Sequence, residues 1–216
     1  RAVRSRRVRM TGRLPPRLFW ISPGRGLSDE LLDTLRSCCN AGLTGFQLRE
    51  KASVARALLA TGGELRRIVP SEGLLMINDR LDLALAGAFD GVHLGAGSVP
   101  VDHARRLLGE AAWIGRSVHN DTELAEAVAG GADFVFASPV FPVCKAGVPA
   151  TAPLGLAGLE GLVAASPMPV LGLGGITPEN LDEVLGTGAH GVAVMRSIAD
   201  SSDPHLLVQR YLERLS

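Results

Sequence analysis

From Leu18 onward, short apolar runs alternate with longer stretches whose apolar positions recur every three or four residues. Short β-rich runs bounded by glycine or polar residues read as strands, and the 3.6-residue period reads as helices that bury one face. Eight strands are predicted, at 18–21, 45–49, 74–78, 91–94, 113–117, 134–137, 170–173 and 191–195. Between them, 28–41 reads as a helix with Ser28 as N-cap, and 54–69 carries Leu58, Leu59, Leu65 and Ile68 at roughly helical spacing. Later helices are predicted to start at Asp121, and at Thr177-Pro178 with Glu179 in the first turn, a hydroxyl cap followed by proline.

Eight strand–helix pairs predict one α/β domain, a single (β/α)8 TIM barrel. A doubly wound sheet uses the same alternation and would place a ligand where the strand order reverses. The segments Gly87-Ala-Phe-Asp90-Gly91, Gly131-Ala-Asp133 and Gly188-Ala-His190-Gly191 each lead into a strand, and this recurring junction favours repeated units and the barrel. One long loop, 138–155, follows the sixth strand; loops of that length in compact domains are usually lids or binding loops.

Composition narrows the class. A chain of 216 residues, 46% hydrophobic and 20% charged, is near the lower size limit of such a barrel and too apolar for global disorder. The apolar runs are too short to span a bilayer, and there is no secretory pattern, so a cytoplasmic protein with no membrane partner is expected. Cys38, Cys39 and Cys144 have no metal-binding or disulfide spacing. Net charge is zero, yet Arg1, Arg4, Arg6, Arg7, Arg9, Arg13 and Arg17 precede the first acidic residue, Asp29, leaving a body of about −7. Without aromatic interleaving, amphipathic period or lysine, this stretch does not predict nucleic-acid binding. Residues 1–17 are expected to be a flexible arm without function, of the kind a start codon read upstream of Met10 would add, ahead of a barrel at 18–216.

Barrels of this kind hold their chemistry at the C-terminal ends of the strands. There the second strand carries Gln47, Arg49 and Lys51 on one side, by alternation. Arg49 offers a planar fork and Lys51 a point charge, a pair suited to a diphosphate, or else to an ion pair with Glu50. Asn78-Asp79 ends the third strand, an amide for a heterocycle edge beside a carboxylate for Mg²⁺ or for a helix cap. His93 and His119 are acid–base candidates or hydrogen-bonded structural histidines. Lys145 is the cation of the long loop, placed to close over an anion, with Cys144 beside it. Gly174-Gly175 after the seventh strand, with the backbone near Met195 after the eighth, predicts a phosphate site.

Taken together, Gln47-Leu-Arg-Glu-Lys51, Ile77-Asn-Asp-Arg80, Gly91-Val-His-Leu-Gly95, Gly115-Arg-Ser-Val-His119, Gly131-Ala-Asp133, Pro139-Val-Phe-Pro142 and Gly174-Gly-Ile176 closely resemble the thiamine phosphate synthase/TenI family, over residues 18 to 198. The resemblance implies a synthase that joins a pyrimidine methyl diphosphate to a thiazole phosphate through a pyrimidine carbocation, releasing pyrophosphate. It assigns Arg49, Lys51 and Lys145 to the leaving diphosphate with Mg²⁺ on Asp79, Gln47 and Asn78 to the pyrimidine, and Ser117 to pyrophosphate. Gly174, Gly175 and Met195 fall to the thiazole phosphate.

Three positions depart from the synthase pattern: Ser98 stands for a second Mg²⁺ aspartate, Val143-Cys144-Lys145 for a threonine-rich loop, and Arg196 for a serine. The family's other activity, a metal-free thiazole tautomerase, is resembled at Gly115-Arg-Ser-Val-His119, Cys144-Lys145 and Ser98, yet it expects a histidine where this chain has Pro139. A non-catalytic barrel that binds thiazole or thiamine phosphate and regulates a partner is a third reading. The retained Arg49, Lys51, Asn78 and Asp79 favour the synthase.

Overall fold

In a computed structural model describing residues 13–145, 148–149 and 152–216, eight parallel strands close into a barrel. They are β1 (Leu18–Ile21), β2 (Gly45–Leu48), β3 (Leu74–Asn78), β4 (Gly91–Leu94), β5 (Trp113–Val118), β6 (Phe134–Ala137), β9 (Val170–Leu173) and β10 (Gly191–Val194). Two short strands, β7 (Cys144–Lys145) and β8 (Val148–Pro149), form an antiparallel ribbon in the long loop. Closure is direct: β1 pairs with β2 through Trp20 opposite Phe46, and with β10 through Leu18 opposite Val192. An open doubly wound sheet is thereby excluded.

The period of two along each strand builds two apolar layers. Phe19, Ile21, Leu74, Met76, Phe134, Phe136, Leu171 and Ala193 point inward and fill the barrel. Trp20, Phe46, Leu48, Leu75, Ile77, Val92, Leu94 and their counterparts point outward, against the helices. Full burial of each such side chain is worth about 1.5–3 kcal/mol, so the two layers carry most of the favourable free energy of folding.

The helical ring comprises α1 (Asp29–Asn40), α2 (Ala55–Ile68), α3 (Leu81–Leu85), α4 (Val101–Leu108), α5 (Asp121–Gly130), α6 (Gly155–Ala165), α7 (Leu181–Gly186), α8 (Arg196–Ala199) and α9 (Pro204–Leu215). Ser28 caps α1 by accepting from the Leu31 amide, and Asn120 caps α5 by accepting from Glu123. Helix α7 starts later than expected. The Asn180 side chain accepts from the Thr177 amide and donates to the Gly175 carbonyl, so Thr177-Pro178-Glu179-Asn180 is a turn and the helix begins at Leu181.

The repeated aspartate junction has a structural cause. Asp90 accepts from the Leu75 amide at 2.7 Å and pairs with Arg66, while Asp133 accepts from the Ile114 amide at 2.7 Å and pairs with Arg105. Each carboxylate thus satisfies a backbone donor at the start of the preceding strand and ties it to a helix. Residues 13–17, expected as part of a flexible arm, lie on the same N-terminal face. Arg13 stacks over Trp113 at 4.4 Å, Pro15 accepts from His190, and Arg17 donates to the His190 and Leu215 carbonyls. Residues 1–12 fall outside the described ones.

Candidate active site

At the C-terminal mouth, β2 and β3 present an ordered relay of amides. Gln47 Nε2 donates to Asn78 Oδ1 at 3.2 Å, and Asn78 Nδ2 donates to Asp79 Oδ2 at 2.7 Å. An ionised carboxylate only accepts, so Asp79 sets the orientation of Asn78, and Asn78 sets that of Gln47. The consequence is that Gln47 Oε1 is left as a buried acceptor without a partner among the described residues. A ligand N–H is the group that would satisfy it.

Asp79 itself adopts a left-handed conformation, φ 60°, which aims its carboxylate across to the loop after β4. There it accepts from the Gly95 amide at 3.1 Å and from the Ser98 hydroxyl. Burial would raise its pKa, but the hydrogen bonds from Ser98 and Gly95, the charge of Lys51 and the Asn78 amide outweigh burial and hold it below the usual carboxylate range. Asp79 is therefore ionised at neutral pH. Together with Lys51, Ser53, Asn78 and Arg80 it lines a cleft of about 240 Å³ whose apolar wall is Leu48, Leu58 and Ile77.

Glu50, read from sequence as an ion-pair partner for Arg49 or Lys51, has a different task. Buried, it accepts from Ser22 Oγ at 2.8 Å and from the Gly24 and Gly26 amides at 3.1 and 2.7 Å, pinning the loop between β1 and α1. Ser22 in turn accepts from the Arg49 amide at 2.7 Å. Arg49 is half-buried and Lys51 exposed; Lys51 and Glu50 both line the cleft, but the Glu50 carboxylate is taken up by Ser22 and the two loop amides. Ser22 was not singled out in the sequence, because a lone serine after a strand carries no local signal.

His93 of β4 is buried in the inner layer, stacked on Phe136 at 4.3 Å, with Nε2 2.9 Å from Ser117 Oγ. Burial pushes its pKa down to about 3; Asp79 opposes that shift and Arg116 adds to it. His93 is thus neutral and cannot serve as a protonated acid at ordinary pH. His119 lies outside the relay, bonded through Nδ1 to Glu123 at 2.7 Å at the start of α5. It plays the structural role allowed for it.

Across the mouth, strand order sets β9 opposite β3. Gly174 (φ 105°) and Gly175 (φ 69°) turn the chain after β9, where a Cβ would lie 2.9 Å from Pro139 and 2.7 Å from Phe141, so only glycine fits. Met195 directly follows β10 and its carbonyl accepts from Trp20 Nε1, and the short α8 follows at once. Tyr211 braces this side by donating to the Ile176 carbonyl at 2.9 Å and contacting Ser197 at 3.1 Å. Two glycines beside a short helix after the last strand are where such barrels hold phosphate.

The fold therefore brings Gln47, Arg49, Lys51, Asn78, Asp79 and Ser117 to one mouth, facing Gly174, Gly175 and Met195. The side chains of Cys144 and Lys145 lie outside the described residues. Ser197, bonded to Tyr211, stands one residue after the exposed Arg196.

A family model described as thiamine monophosphate synthase matches residues 18–198. The chain is 38% identical over 190 residues to a thiamine-phosphate synthase of Thermosynechococcus vestitus, covering 88% of this chain and 54% of that protein. To a thiamine-phosphate synthase of Moorella thermoacetica it is 36% identical over 183 residues, 84% of this chain and 87% of the relative. A solved thiamine phosphate pyrophosphorylase from Pyrococcus furiosus superposes with a TM-score of 0.82 at 32% identity, covering 92% of this chain and 95% of that one. The chain spans about half the length of several thiamine-phosphate synthases it matches.

Proposed function

The chain belongs to the thiamine monophosphate synthase family, and from that premise we propose that it joins a 4-amino-pyrimidine methyl diphosphate to a thiazole phosphate, giving thiamine phosphate and pyrophosphate. The observation that carries this reading is the relay from Gln47 through Asn78 to Asp79, which leaves a buried acceptor, Gln47 Oε1, for an amine donor on the strand that ends in Arg49 and Lys51. In this reading the partners are two small phosphorylated molecules, with no nucleic acid and no membrane, and the compartment is the cytoplasm. Among the described residues no helix is long and apolar enough to cross a membrane.

The reaction breaks the C–O bond between the pyrimidine methylene and the diphosphate, and the electron pair leaves with pyrophosphate. The thiazole nitrogen then donates its lone pair to the methylene carbocation. No proton transfer is needed, which suits a site whose buried histidine is held neutral. What the protein supplies is fixed charge where the leaving group gathers it. Arg49 and Lys51 supply it from the end of β2, and Ser117 adds a hydroxyl from β5. Lys145 is proposed to close over the same group.

The site fits Mg²⁺ with a single protein carboxylate. Mg²⁺ is commonly held by one or two carboxylates together with water and substrate phosphate, and the ionised Asp79 with the adjacent Ser98 oxygen offers that hard donor set. When bound, the ion supplies further neutralisation of the departing diphosphate. Gly174, Gly175 and the backbone at Met195 then hold the thiazole phosphate on the opposite side, so the two substrates meet over the mouth.

A tautomerase needs a proton carrier at position 139. Pro139 carries none and is packed against Gly174. The test is pyrophosphate release by the purified chain given both substrates, with and without Mg²⁺. Metal-dependent release is expected; silence with both substrates and metal present would overturn the proposal in favour of a binding role.

A further inference from the structure

His93 is the buried polar residue directly beneath the mouth, and the reaction above gives it no task. Its ring lies between Phe136, stacked at 4.3 Å with planes 24° apart, and Gly115. A Cβ on Gly115 would stand 2.7 Å from His93 Nδ1 and 2.6 Å from Phe134, so the glycine is what admits the ring. Nε2 meets Ser117 Oγ at 2.9 Å, whereas Nδ1 is buried with no partner among the described residues.

The tautomer follows from these contacts. The Cβ position of Gly115 lies against Nδ1, so a carbon-bound hydrogen and no acceptor is what that nitrogen meets there among the described residues. A C–H facing a bare ring lone pair is weakly attractive, while a C–H facing an N–H is repulsive and would leave a buried donor unsatisfied. Nδ1 is therefore the bare nitrogen, and Nε2 carries the proton. A neutral imidazole protonated there donates to Ser117 Oγ, and the serine's own proton must then turn elsewhere. Ser117 lies on the inward face of β5, two residues nearer the mouth than Gly115, so that direction is the mouth.

We infer that His93 is a positioning residue: its Nε2–H holds Ser117 as a committed donor, aimed at the anionic oxygens of the leaving diphosphate. This rests on the synthase reading of the site, but the tautomer can be measured without turnover. Were the proton on Nδ1, Ser117 would donate to the histidine, and the mouth would lose a donor without losing a residue.

The first measurement is the ¹⁵N spectrum of the His93 ring in the wild-type protein at neutral pH. A protonated Nε2 with a bare Nδ1 is expected, and the opposite pattern overturns the inference whether or not the chain is a synthase. The second is pyrophosphate release by variants. His93→Phe keeps the ring and removes the donor, and should lower kcat by about 10- to 100-fold with little change in KM for the thiazole phosphate. His93→Gln, which retains an N–H, should recover part of that loss. In a Ser117→Ala background, His93→Phe should cost little more. Independent losses from the two substitutions, or a His93→Phe enzyme as fast as wild type, would sink it. If wild type releases no pyrophosphate, the proposed reaction fails and the ring spectrum still decides the tautomer.

Discussion

Ser98 donates its hydroxyl to the Asp79 carboxylate, so the loop after β4 meets the end of β3 through a neutral group. The family resemblance expects a second carboxylate there, and one negative charge is therefore missing from the site. Ser98→Asp should tighten Mg²⁺, lowering the half-saturating concentration for pyrophosphate release by about tenfold, because affinity follows the number of charged oxygen ligands. Without metal the same variant should be less stable, since two adjacent carboxylates repel and raise each other's pKa. A metal titration unchanged by the substitution would remove Ser98 from the cation site.

Lys51 and the Gly174–Gly175 turn stand on different sides of the mouth. Lys51→Ala should reduce turnover by about 10²-fold or more while leaving thiazole phosphate binding nearly unchanged, because in the proposed reaction its charge meets the leaving group. Calorimetric titration of the thiazole phosphate alone, set beside steady-state rates, separates the two. Equal losses in both would take Lys51 out of that role.

On the opposite face, Arg105 and Asp133 form a buried pair at 2.7 Å, with side chains 13% and 3% exposed. Asp133→Ala removes the acceptor of the Ile114 amide and leaves the guanidinium unpaired. The expected loss is about 3–5 kcal/mol, read from the urea midpoint. Asp133→Asn keeps an acceptor for Ile114 and should lose less. Catalytic constants per folded molecule should not change, as the pair lies at the far end of the barrel.

Tyr211 sets an alkaline limit on stability. Burial is the main reason its phenol is pushed up to about 12 from the ordinary 10; a hydrogen bond from Ser197 partly opposes it. The folded state therefore favours the protonated phenol, so this contribution is complete below pH 10 and is lost as pH rises from 10 towards 12, by about 1.4 kcal/mol per unit. Cys38, pushed up to about 12 by burial, adds to the same slope from its ordinary value of 9. Tyr211→Phe should flatten the tyrosine share and lower neutral-pH stability by about 1 kcal/mol through its lost hydrogen bonds. Urea unfolding of both proteins at several pH values between 8 and 12 isolates the difference.

The sequence by itself determined the barrel strands. Leu74-Leu-Met-Ile-Asn78, with its apolar run and polar end, and Gly91-Val-His-Leu94 show their extent, because a strand's period and its ends are local properties. The tight turn after β9 was legible for the same reason, since Gly174-Gly175 announces a backbone that no other residue fits. The start of α7 was not. Thr177-Pro178 has the composition of a cap, yet Asn180 folds back on both Thr177 and Gly175 and delays the helix, a choice among local hydrogen bonds that composition does not rank.

Only the closed barrel decided the rest, because it joins residues that lie far apart in the chain. Glu50 binds Ser22 and two amides of the first loop, Asp79 meets Ser98, and His93 rests beneath Ser117. That the amide oxygen of Gln47 and not its nitrogen is left open, and which nitrogen of His93 carries a proton, follow from neighbours on adjacent strands. Hydrogen bonds and burial act through space, and a linear reading does not contain those distances.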